Sequence, residues 1–505
     1  MNQEPSVLDF IKARLRRWRY KIFHPSAVME ETTEPEFLME DTDKPAPDRV
    51  NAEQALNETP IRFPWRVLLA LVFGLLGQLS LEPKLGAERS WHLGLVLYIV
   101  AGLVLIWINW RHEWALQAWD EKDPEVSKDT RFLQSSLAFI TSLAFSLFAF
   151  AAFGGGRFTL FNLAIWFIAI ATMVRAFWQP EANPVNWVSR VKDFLFRAQW
   201  NISVDRWALL VLAVWGLILF FRVYHLADVP SQPISDHAEK LLDVSDVLNG
   251  QTSVFFQRNT GREFFQFYLT AAIILLFKTG LTYQSLKIGT VMAGLVTLYY
   301  IYLIGKEIAN KRVGLLALAF AGIAYWPNII SRYGLRFPLY PLFYAPALYY
   351  LIRGLQTRNR NHFIISGLFL GLGLHGYSPF RMVPFVILLA VGLYLIHKQS
   401  EGYRLQAIWG LFSIIVVSLI VFIPLMRYMT ENPDIVLYRA MTRIGDLEQP
   451  LPGPAWQIFL QNLRNSLTMF GWDNGEVWPI SIPHRPALDV VTAVFFHLGA
   501  LLMIL

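Results

Sequence analysis

The chain contains no cysteine in 505 residues. Disulfides, thiolate metal sites and cysteine nucleophiles are therefore excluded. It is also poor in charge: Asp, Glu, Lys and Arg make up 16% of it, where soluble domains carry about a quarter. The net charge of +6 is not gathered into a basic patch on a soluble segment, so nucleic acid is not an expected partner. The N-terminus does not read as a secretory leader, because the first apolar run starts only near Pro64. No convincing internal repeat is legible.

What the chain has instead is 54% hydrophobic residues and a mean hydropathy of +0.38. Runs of roughly 17–22 apolar residues recur along it, each long enough to cross a bilayer as a helix. The expected class is an all-α polytopic membrane protein of the cell membrane, with a cytoplasmic N-terminus and the excess Lys and Arg in cytoplasmic loops. In 1–63, Leu8, Ile11, Leu15, Trp18 and Ile22 fall at helical spacing among Lys12, Arg14, Arg16, Arg17, Arg19 and Lys21. That pattern fits either a basic helix on the inner membrane surface or a solvated positive tail. Residues 29–59 are acidic and read as a disordered linker.

Runs near 64–81, 91–110, 132–153 and 158–178 suggest a four-helix N-terminal unit, 64–206, with no legible site chemistry. Arg111, Lys122, Lys128 and Arg131 fit inside, the GGGR loop at 154–157 outside, and Arg175, Arg190, Lys192, Arg197 and Arg206 inside. The membrane core follows at 207–426 with an outer loop at 223–263. Next come an outer segment with short helices at 427–487 and a last membrane helix at 488–505. That helix stops in LLMIL without flanking charge, as in a fragment of a longer protein. The apolar run 264–279 decides the topology. If it crossed, the basic loops KEIANKR (306–312) and RGLQTRNRN (353–361) would both fall outside. A non-crossing helix there puts both inside, with HKQSEGYR (397–404), and brings SRYGLR (331–336) and HGYSPFR (375–381) to the outer side.

The stretch 235–263 is polar and acid-bearing between apolar runs, and such groups beside bilayer segments usually serve chemistry or transport. Ala238, Leu241, Leu242 and Leu248 predict an amphipathic helix ended by Asn249-Gly250, with Asp236 as its N-cap and Glu239 completing a capping box. Asp236 is then either a cap or a base, and Glu263 either half of an ion pair with Arg262 or a positioning acid. Arg332 and Arg336, four apart, either snorkel or clamp phosphate. His375, Tyr377 and Arg381 are candidate hydroxyl or phosphate binders. Asp236, His237 and Glu239 form a weak candidate cation set; no metal ligands are assigned, and a divalent metal is carried only as an optional cofactor.

An outer loop with an early acid, an Arg-Glu pair at the next apolar helix and then SRYGLR resembles the C-type membrane glycosyltransferases. The similarity is closest to the branch of the protein O-mannosyltransferases and the aminoarabinose transferases that modify lipid A. It covers about 207–505, so four extra transmembrane helices would precede the helical bundle of that fold. The resemblance implies inverting transfer from a polyprenyl-phosphate sugar to an acceptor hydroxyl on a protein, lipid or glycan, on the extracytoplasmic side of the membrane. It implies Asp236 as the first-loop acid and Glu263 as the second; independently of it, the residues themselves offer Arg262, Arg332, Arg336, His375, Tyr377 and Arg381 as substrate binders, with His237 and Glu239 as secondary candidates. The chain departs from the family in having His237 after Asp236, and Phe337 rather than an acid after Arg336. A lipid-linked-sugar transporter or flippase is the alternative; it would show paired broken helices at mid-membrane. A non-catalytic scaffold subunit is a third reading.

Overall fold

The computed structural model describes residues 65–83, 90–111, 132–180, 205–444, 451–476, 478 and 480–504. The expected surface helix and acidic linker in 1–63, with Lys122, Lys128, Arg131, Arg190, Lys192 and Arg197, lie outside them. The described chain is mainly helical, with one two-stranded hairpin. Among the described residues, six helices are long and apolar enough to cross a membrane, and a seventh span arises if a pair bent by 60° is one crossing. The all-α polytopic class follows from that count.

The chain divides into two compact units. The first joins α1 (Trp65–Leu81), α2 (His92–Trp110) and residues 493–504 of the last helix. Small residues let these helices approach: Gly74 faces Val494 and Leu498, and Ala70, Ala101, Leu105 and Ile108 complete the core. The fully buried Gln78 accepts a 2.8 Å hydrogen bond from the Tyr98 hydroxyl, which satisfies a polar group where lipid offers no partner.

The second unit holds everything from α3 (Ser136–Ala152) and α4 (Leu160–Phe177) to residue 492. Its further helices are α5 (Arg206–Val223), α8 (Tyr283–Ile308), the bent pair α9 (Lys311–Ile323) and α10 (Tyr325–Arg332), α11 (Leu339–Thr357), α12 (Arg360–Gly373), α13 (Val383–Ile396) and α14 (Arg404–Glu431). Before α8 lie α6 (Ser235–Leu248), strands β1 (Phe255–Phe256) and β2 (Arg262–Glu263), and α7 (Phe265–Phe277). After α14 come α15 (Pro433–Ile444), α16 (Ala455–Thr468) and α17 (Val490–Ile504). The expected four-helix block is thereby divided between the units. The reason is packing: α3 and α4 share a core with α14, where the Trp166 indole donates to the Ile420 carbonyl at 2.9 Å.

Helix α7 has 13 residues, about 20 Å of helix against a hydrocarbon core of roughly 30 Å. The chain starts and ends it at one end of the bundle. Glu263, just before α7, pairs with Arg336 at 3.2 Å, and Tyr283, at the start of α8, donates to the Tyr333 carbonyl at 3.0 Å. Had α7 crossed, Arg336 would lie at the other end. That opposite end holds Gln179 and Asn361, joined by two hydrogen bonds of 2.7 and 2.8 Å, and Arg360 donating to the Phe132 carbonyl. The 176–180 and 359–361 segments thus meet each other, away from the Glu263–Arg336 pair.

Candidate active site

The loop after α5 carries the site, and cations fix its course. Arg332 donates to the carbonyls of Phe221, Tyr224 and Val229 at 2.6, 2.8 and 3.1 Å. The buried Lys287 amine donates to those of Leu226, Ala227 and Pro230 at 2.9, 3.2 and 2.6 Å. These are the carbonyls that a helix end and a turn leave unpaired. On its far side the loop is stitched to the α3–α4 turn: Phe158 and Thr252 exchange hydrogen bonds of 2.6 Å each, and Val254 N–H donates to the Gly156 carbonyl at 2.9 Å. The N-terminal helices thus contribute to the site, which the sequence did not suggest.

Helix α6 ends where predicted, before Gly250, whose φ of 90° suits glycine, but starts earlier, at Ser235. Its faces are reversed. Buried are His237, Lys240, Asp243 and Val244, while Leu242 and Leu248 are exposed. Asp236 is not the N-cap. The cap position is Ile234, whose N–H donates to His237 Nδ1 at 3.0 Å, while His237 Nε2 pairs with the Tyr333 carbonyl at 2.7 Å. With one nitrogen accepting and the other donating, His237 is a neutral imidazole. Burial depresses its pKa.

Released from capping, the Asp236 and Glu239 carboxylates face the β1–β2 hairpin. Arg262 Nη2 lies 3.2 Å from both Asp236 Oδ1 and Glu239 Oε2. Asn259 Nδ2 donates to Asp236 Oδ1 at 2.8 Å and also to Glu239. Asn259 sits in a turn with left-handed backbone at three successive residues, φ 47°, 61° and 85° for Asn259, Thr260 and Gly261. Asparagine and glycine accept this region and threonine does not, so the surrounding contacts hold the turn in place. Lys240, 2% exposed, donates to the Asp236 carbonyl at 2.9 Å and stands 3.9 Å from its Oδ2.

Successive strand residues point to opposite faces, so Glu263 turns away from Asp236. It is buried and accepts from Arg336 at 3.2 Å, Arg381 at 3.1 Å and the Ser378 hydroxyl at 2.9 Å. Arg336 lies between Glu263 and a pocket lined by Asp236, Lys240, Arg262, Leu335, Arg336, Phe337 and Tyr377, with its guanidinium carbon 5.2 Å from the Tyr377 ring centre. The pocket so gathers Asp236, Arg262, Arg336 and Tyr377 from the expected set. Arg332 holds the loop backbone instead. Arg381 joins Glu263 and reaches the Val436 carbonyl of α15 at 3.4 Å. His375 is fully buried, paired with the Val421 carbonyl at 2.9 Å and set among Trp166, Phe264 and Phe422.

Burial works against the ionised form of Asp236, but Lys240, Arg262, the Asn259 bond and Arg336 outweigh it and hold its pKa below the ordinary value. Burial, with help from Arg262 and Arg336, brings Lys240 down to about 7 against the opposing pull of Asp236 and Glu239. Sequence reasoning missed Lys240, although its spacing of four from Asp236 put both on one helical face. A divalent cation does not fit the Asp236–Glu239 pair: an arginine and an amide donor already occupy their facing oxygens, His237 has both nitrogens engaged, and among the described residues no group of three metal-ligating side chains occurs.

Residues 263–428 match the family model described as dolichyl-phosphate-mannose-protein mannosyltransferase. The match opens on Glu263 and closes on Tyr428, so it takes in the Glu263, Arg336, Ser378 and Arg381 network. Asp236, Lys240 and Arg262 stand just before it. It supports the C-type glycosyltransferase branch and a mannosyltransferase-like membrane protein. No curated protein and no solved structure matches the chain.

Proposed function

We propose that the chain transfers a sugar from a polyprenyl-phosphate donor to an acceptor hydroxyl, in the pocket beside α6 and on the extracytoplasmic side of the membrane. The observation that carries this reading is one pocket lined by the ionised Asp236 and by Lys240, Arg262 and Arg336. Asp236 takes the proton of the acceptor hydroxyl. The oxygen attacks the anomeric carbon, and the bond from that carbon to the phosphate oxygen breaks on the opposite face, inverting the centre. The electron pair leaves on the phosphate, which the three cations stabilise as its charge develops. Glu263 is a positioning residue here: it orients Arg336 and does not touch substrate. The donor's isoprenoid tail stays in the bilayer, and the acceptor is a protein, lipid or glycan hydroxyl.

The test is reconstitution of the chain in vesicles with polyprenyl-phosphate mannose, glucose and aminoarabinose and an extract of cell-envelope acceptors. Transfer of one labelled sugar, lost in Asp236→Asn, supports the reading. Movement of intact donor across the bilayer without sugar transfer would instead favour a flippase.

A further inference from the structure

Helix α16 has no buried residue. Trp456, Phe459, Leu460, Leu463 and Leu467 are each between 44% and 66% exposed. At 3.6 residues per turn they form one stripe about 100° wide, the width of a face made to be covered. Gln457, Gln461, Arg464 and Asn465 occupy the other side. The helix has no acidic residue, and Arg464 is its one charge.

Its end is tied to the bundle. Ala487 N–H donates to the carbonyl of Met469, the residue after α16, at 2.8 Å. The next residue back, Pro486, accepts from the Tyr325 hydroxyl, and Arg485 stands over the Tyr325 ring. Tyr325 opens α10, which leads from the membrane helix α9 to Arg332 at the site end. Along α9, Leu316 and Ile323 are 56% and 40% exposed, as a lipid-facing side is. The attachment point therefore borders the apolar surface of the bundle, close to its rim.

We propose that α16 is an interfacial helix whose occupant is lipid: it lies along the bilayer surface at the site end, its Trp456–Leu467 stripe among the acyl chains and its amide face in water. The lack of charge makes the contact an apolar one, independent of anionic headgroups. It fastens the 451–487 segment to the membrane beside the pocket end.

The absence of native cysteine allows a direct test. Full-length chain carrying Leu460→Cys or Asn465→Cys is labelled with bimane and reconstituted in phosphatidylcholine vesicles, with nitroxide lipids as the membrane quencher and iodide as the aqueous one. The expected result is blue-shifted emission at 460, quenched by nitroxide and not by iodide, with the reverse at 465. Added salt or anionic lipid leaves both unchanged. Iodide quenching at 460 equal to that at 465 overturns the proposal, since the stripe is then in water. Shielding of 460 from both quenchers also overturns it; copper-catalysed disulfide dimers of that variant would then identify a second copy as the cover.

Discussion

Arg262 Nη2 reaches Asp236 Oδ1 at 3.2 Å, while Nε and Nη1 of the same guanidinium are buried with no hydrogen-bond partner. A buried donor without a partner is costly, and here it borders a pocket lined also by the Asp236 carboxylate and two further cations. An incoming phosphate would complete the set. Each element of the proposed chemistry can be probed separately.

Asp236→Asn keeps the side-chain shape and removes the base. Because the helix is capped at Ile234 rather than by Asp236, the helix should persist, with some stability lost as Arg262 and Lys240 give up a partly exposed counter-charge. Transfer should fall by about 10²–10⁴-fold, the usual contribution of a general base. The check is a transfer assay beside a thermal melt in detergent. Wild-type rates in the variant would remove Asp236 from the mechanism.

Glu263→Gln leaves Arg336 buried without its counter-charge, and breaking a buried pair costs about 3–5 kcal/mol. The variant should melt well below wild type. Glu263→Gln with Arg336→Met should recover part of that loss, since the two act as a pair. Full thermal stability together with lost transfer would give Glu263 a part in the chemistry itself.

Lys240 is held near pKa 7. Below that pH the pocket carries its full positive charge, and the charge falls by one as pH rises through 7. A polyprenyl-phosphate sugar is a phosphodiester that does not titrate there, so donor affinity should weaken from pH 6 to 8. Lys240→Arg should flatten the profile at high affinity, because arginine stays charged, and Lys240→Met should flatten it at low affinity. Donor binding by fluorescence competition reads this without turnover. An unchanged slope in Lys240→Arg would assign the pH effect elsewhere.

Asn249→Cys and Glu401→Cys mark exposed residues in loops at opposite ends of the bundle. A membrane-impermeant thiol reagent on intact cells should label the first and spare the second. The reverse pattern would turn the pocket to the cytoplasm.

The helical class, the short α7 and the shared end of the SRYGLR and HGYSPFR loops were legible because they follow from hydrophobic length and from charge alternating between loops. The individual roles were harder to read. An arginine that clamps phosphate and one that caps backbone carbonyls have the same sequence signature, so Arg332 and Arg336 looked equivalent. Leu242 outward and Lys240 inward invert the pattern that apolar periodicity implies, because at this helix the polar contacts with Arg262, Arg258 and Tyr333 decide the orientation. The tie from Phe158 to Thr252 spans 94 residues, a distance over which a single sequence carries no pairing signal.

The two ends of that tie also differ in when they are made. A ribosome delivers residues 154–158 before the site loop exists, so the hairpin of α3 and α4 is there to receive Thr252 and Val254 as they emerge. The other support arrives late. Gln257 donates to the Tyr428 hydroxyl at 2.9 Å across 171 residues, and Tyr428 belongs to α14. Until α14 has inserted, the loop carrying Asp236 and Arg262 has its contacts to Lys287, Arg332 and the α3–α4 turn but lacks the one from Gln257. The Gln257 contact therefore closes after the loop's earlier supports, and a nascent chain stalled before residue 428 would carry the pocket residues without this later tie.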